Sequence, residues 1–416
     1  MAEQTAPATI DAPFALPNGT VLRNRLVKAA LSEQLGTLRN APSAKLERLF
    51  GEWSLGGYGL IITGNVMVDR RALGEPRNVV VEDERDLPAL RRWAEASKQS
   101  GNQTWVQINH PGRQTPRILS SHPVAPSAVA LKLSGQFATP RALTSAEIEE
   151  IIERFARTAE IVVSAGFDGV QIHSAHGYLS SQFLSPHTNQ RNDEWGGDPE
   201  RRMRFLLEVV RRTRARIGHD AGLGVKLNSA DFQRGGFTEE ESMGVVDALS
   251  HESLDLLEIS GGTYERAAMM GAGQQRESTR QREAYFLEYA QQVRERAAMP
   301  LMLTGGLRSR AAMDAALDTG AVDLIGLGRP ACVETDLPGR LLRGEAAGAM
   351  PARNLKIGVK QLDDLGELTW HTTQLWRLGR GRPAAPQRHP VLAVAEYLRA
   401  TATSGLGRRA LRPPSY

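Results

Sequence analysis

The sequence predicts an α/β protein: a (β/α)8 TIM barrel with an N-terminal hairpin and a C-terminal helical extension. Three observations predict it. Short apolar runs alternate with amphipathic helical patterns almost from the start of the 416-residue chain, and they count to eight strands, each followed by a helix. The runs are continuously apolar, as expected of strands covered on both faces in a parallel sheet. No glycine fingerprint follows the first strand, where an open doubly wound sheet would usually carry one.

In chain order, Pro17 to Thr20 (PNGT) is a turn signal between short extended stretches and predicts a hairpin closing the barrel's lower end. Strands are predicted at Arg25–Ser32, Gly59–Met67, Thr104–Asn109, Gly169–Ser174, Leu223–Asn228, Leu254–Ser260, Pro300–Gly305 and Val322–Leu327. Helices are predicted between them. Thr144 with Glu147 and Thr238 with Glu241 are capping boxes, and Asp198-Pro199 starts a helix that runs to Ile217. Two long loops, Pro111–Arg141 after strand three and Gly261–Arg282 after strand six, have the length of functional segments. The barrel is expected to end at residue 345. Residues 346–416 then form a helical extension, with helical stretches near Leu355–Arg377 and Val391–Arg399 around a Pro/Gly/Arg-rich linker.

Composition narrows the function. The apolar (41%) and charged (24%) fractions are those of a soluble globular protein. The net charge of +4 comes from arginines spread over helix faces and a basic tail, without aromatic interleaving, so no nucleic-acid partner is expected. Cys332 is the single cysteine and cannot form an intrachain disulfide. The N-terminus lacks a charged n-region and an apolar h-region, and no run approaches a membrane span. The expectation is a cytoplasmic protein with no membrane partner. Trp370, Trp376 and Val391–Leu398 are expected to pack on the barrel or on a second subunit, which leaves a homo-oligomer open.

Catalytic groups of such barrels sit at the C-terminal ends of the strands. There the sequence places Ala29, Ala30, Leu31 and Ser32, then Gly64 and Asn65, Gln107, the group His173, His176 and Tyr178, Lys226, Gly306, and Gly328 with Arg329. A metal is not expected at the histidines: HExxH is absent and no acidic residue ends a neighbouring strand. Ser174 is a poor nucleophile for His173, because alternation points it the other way. Glycines at the ends of the last two strands, with Arg329 beside them, suit a phosphate.

Four stretches carry a family resemblance. They are LRNRLVKAA (Leu22–Ala30), WVQINHPGR (Trp105–Arg113), HSAHGYLSSQFLSPHTNQRNDEWGGDPERRMRFLLEVV (His173–Val210) and LIGLGRP (Leu324–Pro330). Over roughly Leu22 to Leu342 the chain resembles the Old Yellow Enzyme family of NADH:flavin oxidoreductases, the FMN-dependent ene-reductases. The resemblance implies bound FMN, NADH or NADPH as electron donor, and a small electrophile such as an activated alkene as acceptor. It implies that His173 and His176 hydrogen-bond the substrate's electron-withdrawing group, that Tyr178 donates the proton, and that Gln107 binds the flavin's pyrimidine edge. It places Lys226 near flavin N1 and O2, where a lysine ~4 Å away at an effective dielectric near 20 is worth roughly 4 kcal/mol. Ser32 falls on the flavin O4 side, Ala29, Ala30, Leu31 and Asn65 border the cofactor, and Gly306, Gly328 and Arg329 hold its phosphate. Ala30, Gly64-Asn65 and Lys226 depart from the residues usual in the family. A related flavin barrel that dehydrogenates or demethylates an amine, and a zinc-dependent barrel hydrolase, are the alternatives.

Overall fold

Apolar runs of four to seven residues flanked by turn-formers are too short for stable helices, and each can satisfy its backbone by pairing with the next such run. The computed structural model of the chain describes residues 8–131, 133, 135–231, 234–260, 287–351, 355, 360–410 and 416. The predicted long loop after strand six, Gly261–Arg282, lies outside the described residues. Eight strands close a parallel barrel: β1 (Leu26–Lys28), β2 (Leu60–Ile62), β3 (Gln103–Asn109), β4 (Gly169–Ser174), β5 (Gly222–Asn228), β6 (Leu256–Ser260), β7 (Leu301–Thr304) and β8 (Leu324–Leu327). β8 pairs back onto β1, and β4 pairs with both β3 and β5, so no edge is left open. The helices α1 (Ala44–Leu55), α2 (Leu87–Ala96), α3 (Ser145–Ser164), α4 (Pro199–Ile217), α5 (Glu239–Leu249), α6 (residues 287–294), α7 (Arg310–Asp318) and α8 (Leu337–Leu342) follow the strands in turn.

The cap signals work as the sequence reads. Thr144 and Glu147 form a reciprocal capping box on α3, Thr238 and Glu241 form another on α5, and the Asp198 side chain caps α4 with Pro199 at its first position. The second predicted strand is interrupted. Leu60–Ile62 and Val66–Met67 are separate strands because the chain between them is bonded elsewhere. Thr63 Oγ1 accepts from Gln107 N, and the Glu33 carboxylate accepts from Gly64 N at 2.9 Å. A Cβ on Gly64 would lie 2.0 Å from Leu31 O, so only glycine fits there.

The barrel interior divides into an apolar lower part and a polar mouth. Below, Trp105 lies across the axis among Leu60, Leu256 and Met302, and the predicted hairpin (Phe14–Ala15 with Val21–Leu22) inserts Leu16 and Leu22 from underneath. The indole leaves no room opposite. A Cβ on Gly222 would stand 2.1 Å from its Cζ2, and one on Gly224 3.0 Å from its Cζ3. Two further helices, α9 (Lys360–Gly379) and α10 (Pro390–Ala410), complete the described chain; α10 is longer than its sequence pattern suggests. α9 packs on α1 and on the turn Arg329–Cys332. Trp376 Nε1 donates to Glu33 O, and its ring stacks on Tyr397, so this tryptophan belongs to the chain's own core. Among the described residues no helix is long and apolar enough to cross a membrane.

Candidate active site

Period-two alternation decides what reaches the mouth. On β3 it carries Gln107 and Asn109 to the face that Trp105 occupies lower down. Register sets Gln107 beside Gln171, His173 beside Lys226, and Lys226 beside Glu258. A buried chain of contacts results: Gln107 Nε2 donates to Gln171 Oε1 at 2.7 Å, and Gln171 Nε2 donates to Glu258 Oε2 at 2.8 Å. Lys226 Nζ lies 2.8 Å from Glu258 Oε1. Among the described residues that oxygen has no properly angled hydrogen bond, so the contact is an ion pair by distance; at 2.8 Å the Coulomb attraction needs no further alignment. The Lys226 charge at the mouth is therefore opposed by a carboxylate. The sequence reading missed Gln171 and Glu258; a charged residue at an inward position of the apolar run LDLLEIS was the available signal.

His173 ends β4 facing inward, and the chain then turns sharply. His176 has φ +61 and Gly177 φ +75. The left-handed conformation is costly for a histidine and persists where surrounding contacts enforce it. Here Asn228 Oδ1 accepts from His176 N at 3.2 Å, and His176 Nε2 sits 2.7 Å from Ser260 Oγ. The turn stacks three rings edge to face: His173 and His176 centroids are 5.0 Å apart, and His173 and Tyr178 4.9 Å apart. Ala175 N donates to His173 Nδ1 at 3.2 Å, which leaves that nitrogen unprotonated and places the proton on Nε2. Burial first, and then the Lys226 charge, hold both imidazoles well below their ordinary pKa, and His173 adds to the effect on His176. Both rings are neutral near pH 7. Ser174 points away, its hydroxyl accepting from Ser180 at 2.8 Å.

The other candidates arrive from the loops. Asn65 Nδ2 donates to Tyr178 Oη at 3.4 Å. Ser32 Oγ donates to the buried Glu75 carboxylate at 2.9 Å, so its hydroxyl hydrogen is already committed. Ala29 N donates to Leu327 O, and Leu31 packs toward Gly328, which brings the ends of β1 and β8 together. Lys28 faces out of the barrel, fully buried: its ammonium donates to Glu33 Oε1 and Ile62 O and lies 4.2 Å over Trp53. At the ends of β7 and β8, Gly305 (φ +128), Gly306 (φ +75) and Gly328 form a backbone cradle. Arg329 stands next to it, paired with Glu367 of α9. Among the described residues no group of three His, Cys, Asp or Glu converges on a point where a metal would sit.

The donor set fits FMN. A buried polar atom in a native protein almost always finds a partner. Yet four at the mouth have none among the described residues: Asn65 Oδ1, both amide atoms of Asn109, and Thr304 Oγ1. A heterocycle with alternating donors and acceptors would satisfy such groups. A Cβ on Gly305 would meet nothing within 4 Å, which leaves that side of the cradle open to an anion.

Residues 10–347 match the NADH:flavin oxidoreductase / NADH oxidase family. The NADH-dependent flavin oxidoreductase iliE of Hypocrea jecorina is 37% identical over 351 residues, covering 78% of this chain and 87% of that one. The old yellow enzyme homologue from Zymomonas mobilis is 25% identical with a TM-score of 0.69, covering 82% of this chain and 94% of its own. Morphinone reductase in complex with tetrahydroNAD has the same identity and TM-score, with 82% and 92% covered.

Proposed function

The chain belongs to the NADH:flavin oxidoreductase / NADH oxidase family, an FMN-dependent oxidoreductase working with NAD(P)H, and on that premise we propose that it reduces activated alkenes with Tyr178 as the proton donor. We read residues 1–345 as the cofactor-binding barrel and 346–416 as an extension packed on it; the family match ends at residue 347. The observation that supports the reaction is the ring triad, with two neutral imidazoles and a phenol meeting edge to face on one turn above a buried lysine.

Bound FMN would supply the hydride-transfer chemistry between the nicotinamide and the electrophile. The chain's residues do the rest. Gln107, Lys226, Asn65, Asn109 and the β1 end would hold the ring, and Gly306, Gly328 and Arg329 would hold the phosphate. His173 donates from Nε2 to the carbonyl or nitro oxygen of the substrate. His176 donates from Nδ1 in the tautomer whose Nε2 accepts from Ser260 Oγ, 2.7 Å away. As hydride reaches the β-carbon, charge grows on that oxygen, and two fixed donors in a dry site stabilise it without reorganising. Tyr178 Oη delivers the proton to the α-carbon, and Asn65 orients the phenol by donating to its oxygen.

Tyr178→Phe tests the reading. Reduction of the enzyme by NADH needs no proton donor above the ring and should be nearly unchanged in stopped flow. Oxidation by cyclohexenone should slow by about 10²–10⁴-fold. Oxidation by a benzoquinone, whose oxygens take protons from water, should survive. Equal slowing of both oxidants, or of neither, would remove Tyr178 as the acid.

A further inference from the structure

A cavity of about 240 Å³ lies between the loop that follows β1 and the helices α9 and α10. Half of its wall comes from residues beyond the family match, among them Trp376, Arg380, Thr401 and Ser404. Three cations line it, Lys45, Arg77 and Arg380, and none of the residues lining it is acidic. Among the described residues, only Glu396 of the nearby carboxylates meets a lining cation, and the others are engaged elsewhere. Glu396 reaches Arg380 at 2.9 Å but shares itself with Arg388 at 2.7 Å. Glu75 turns to Ser32 and Asn78, and Glu33 to Lys28 and Gly64. Lys45 feels Arg380 and Arg77 as its charged neighbours, and after burial their repulsion holds its ammonium below the ordinary value.

Like charges gathered around a void destabilise a fold unless a counter-charge arrives. The arrangement is also held in place. Arg77 Nε donates to Ser404 Oγ at 3.0 Å and Nη1 to Gly36 O at 3.2 Å, which fixes the guanidinium plane. Gln34, at φ +53, is clamped by its donation to Tyr397 Oη at 3.3 Å. The cavity is distinct from the Gly306–Arg329 cradle: it shares no residue with it. It borders the active site, since a smaller void shares Gln34, Gly36 and Arg77 and reaches Ser32 and Asn65.

We propose that this cavity is a second anion site, which binds a phosphate-bearing small molecule through Lys45, Arg77 and Arg380 with hydroxyl contacts from Thr401 and Ser404. A dianion matches three converging cations better than a monocarboxylate does, and arginine forks suit phosphate oxygens. The volume falls below the roughly 300–1,000 Å³ of drug-sized pockets and suits a phosphate carrying one small ring. The site stands independently of which electrophile the enzyme reduces.

The test uses the full chain saturated with FMN, so that the cofactor's own phosphate cradle is filled. Ribose 5-phosphate, inorganic phosphate and uncharged ribose are titrated by calorimetry at low ionic strength. Ribose 5-phosphate should bind with one site per chain, more weakly as salt rises. Ribose should give no heat. Lys45→Gln removes a cation that makes no ion pair among the described residues, so folding is spared, and it should weaken binding about tenfold or more; Arg77→Gln should do the same. Absence of binding by both phosphates, equal binding of ribose, or affinity unchanged in Lys45→Gln and Arg77→Gln would overturn the assignment.

Discussion

Glu258→Gln isolates the ion pair beneath the mouth of the barrel. The Lys226 side chain is 5% exposed and its Nζ stands 2.8 Å from the Glu258 carboxylate. At that separation two unit charges attract by about 6 kcal/mol for an effective dielectric near 20. Glutamine keeps a carbonyl near the lysine and the contact with Gln171, so part of this is recovered. Breaking a buried pair by removing one partner costs about 3–5 kcal/mol, and we expect the lower end, about 3 kcal/mol. Urea denaturation of the FMN-free chain reads the loss directly. The double variant Lys226→Met/Glu258→Gln should return to within about 1 kcal/mol of wild type, because a neutral pair whose amide keeps its contact with Gln171 leaves no buried charge. A second readout runs in the opposite direction. With its counter-charge gone, Lys226 exerts its full field at the mouth, so phenolate-forming phenols should bind Glu258→Gln more tightly than wild type. Loss of less than about 1 kcal/mol, no recovery in the double variant, or weaker phenol binding in the single one would refute the reasoning.

Other perturbations are equally direct. Burial, opposed by Asp69, holds His110 at a pKa of about 4, so the folded chain stays neutral where the unfolded chain takes up a proton. Stability should therefore fall as pH drops below about 6.5 and keep falling to about 4, with about 3 kcal/mol from this histidine alone. His110→Asn should flatten the Tm–pH profile over that window, and an unchanged slope would count against it. Gly222→Ala drives a methyl into Trp105 and should cost about 1–3 kcal/mol, largely restored by Trp105→Leu in the same chain, as read by thermal melts. Glu367→Gln releases the half-exposed Arg329 for the cofactor phosphate and should tighten FMN binding by a few-fold at most, since surface pairs are worth about 0.2–1 kcal/mol; weaker binding in a fluorescence titration would show that Glu367 instead positions the arginine. His173→Ala should weaken binding of phenolate-forming phenols by about 1.5–3 kcal/mol, the worth of a hydrogen bond to a charged oxygen, and an unaltered charge-transfer titration would exclude it as a donor.

Features with a local physical cause were legible in the sequence. Eight apolar runs, three helix starts and the PNGT hairpin all depend on neighbours within a few residues, and each lies where its pattern points. The strand-end rule then gathered His173, Tyr178, Gln107 and Lys226 at one mouth without any knowledge of their contacts. What escaped are pairings fixed only by closure of the barrel. Glu258 meets Lys226 through register between two strands, and nothing in either run announces the partner. The break at Thr63–Asn65 arises because Glu33, 31 residues earlier, captures Gly64 N. The tie from Trp376 to Glu33 spans 343 residues and has no local signature.

Trp105 and the hairpin beneath it also govern traffic. With the lower end of the barrel sealed by the indole, Leu16 and Leu22, reactants come and go through the mouth at the strands' other end. On the proposed reaction, nicotinamide and electrophile would compete for one doorway over the same ring triad, and neither could enter from behind while the other is seated. Turnover becomes an alternation: the spent nucleotide has to depart before the second reactant docks. Initial-rate plots at several fixed donor concentrations should then give parallel lines, and a large excess of either reactant should inhibit by blocking the other's turn.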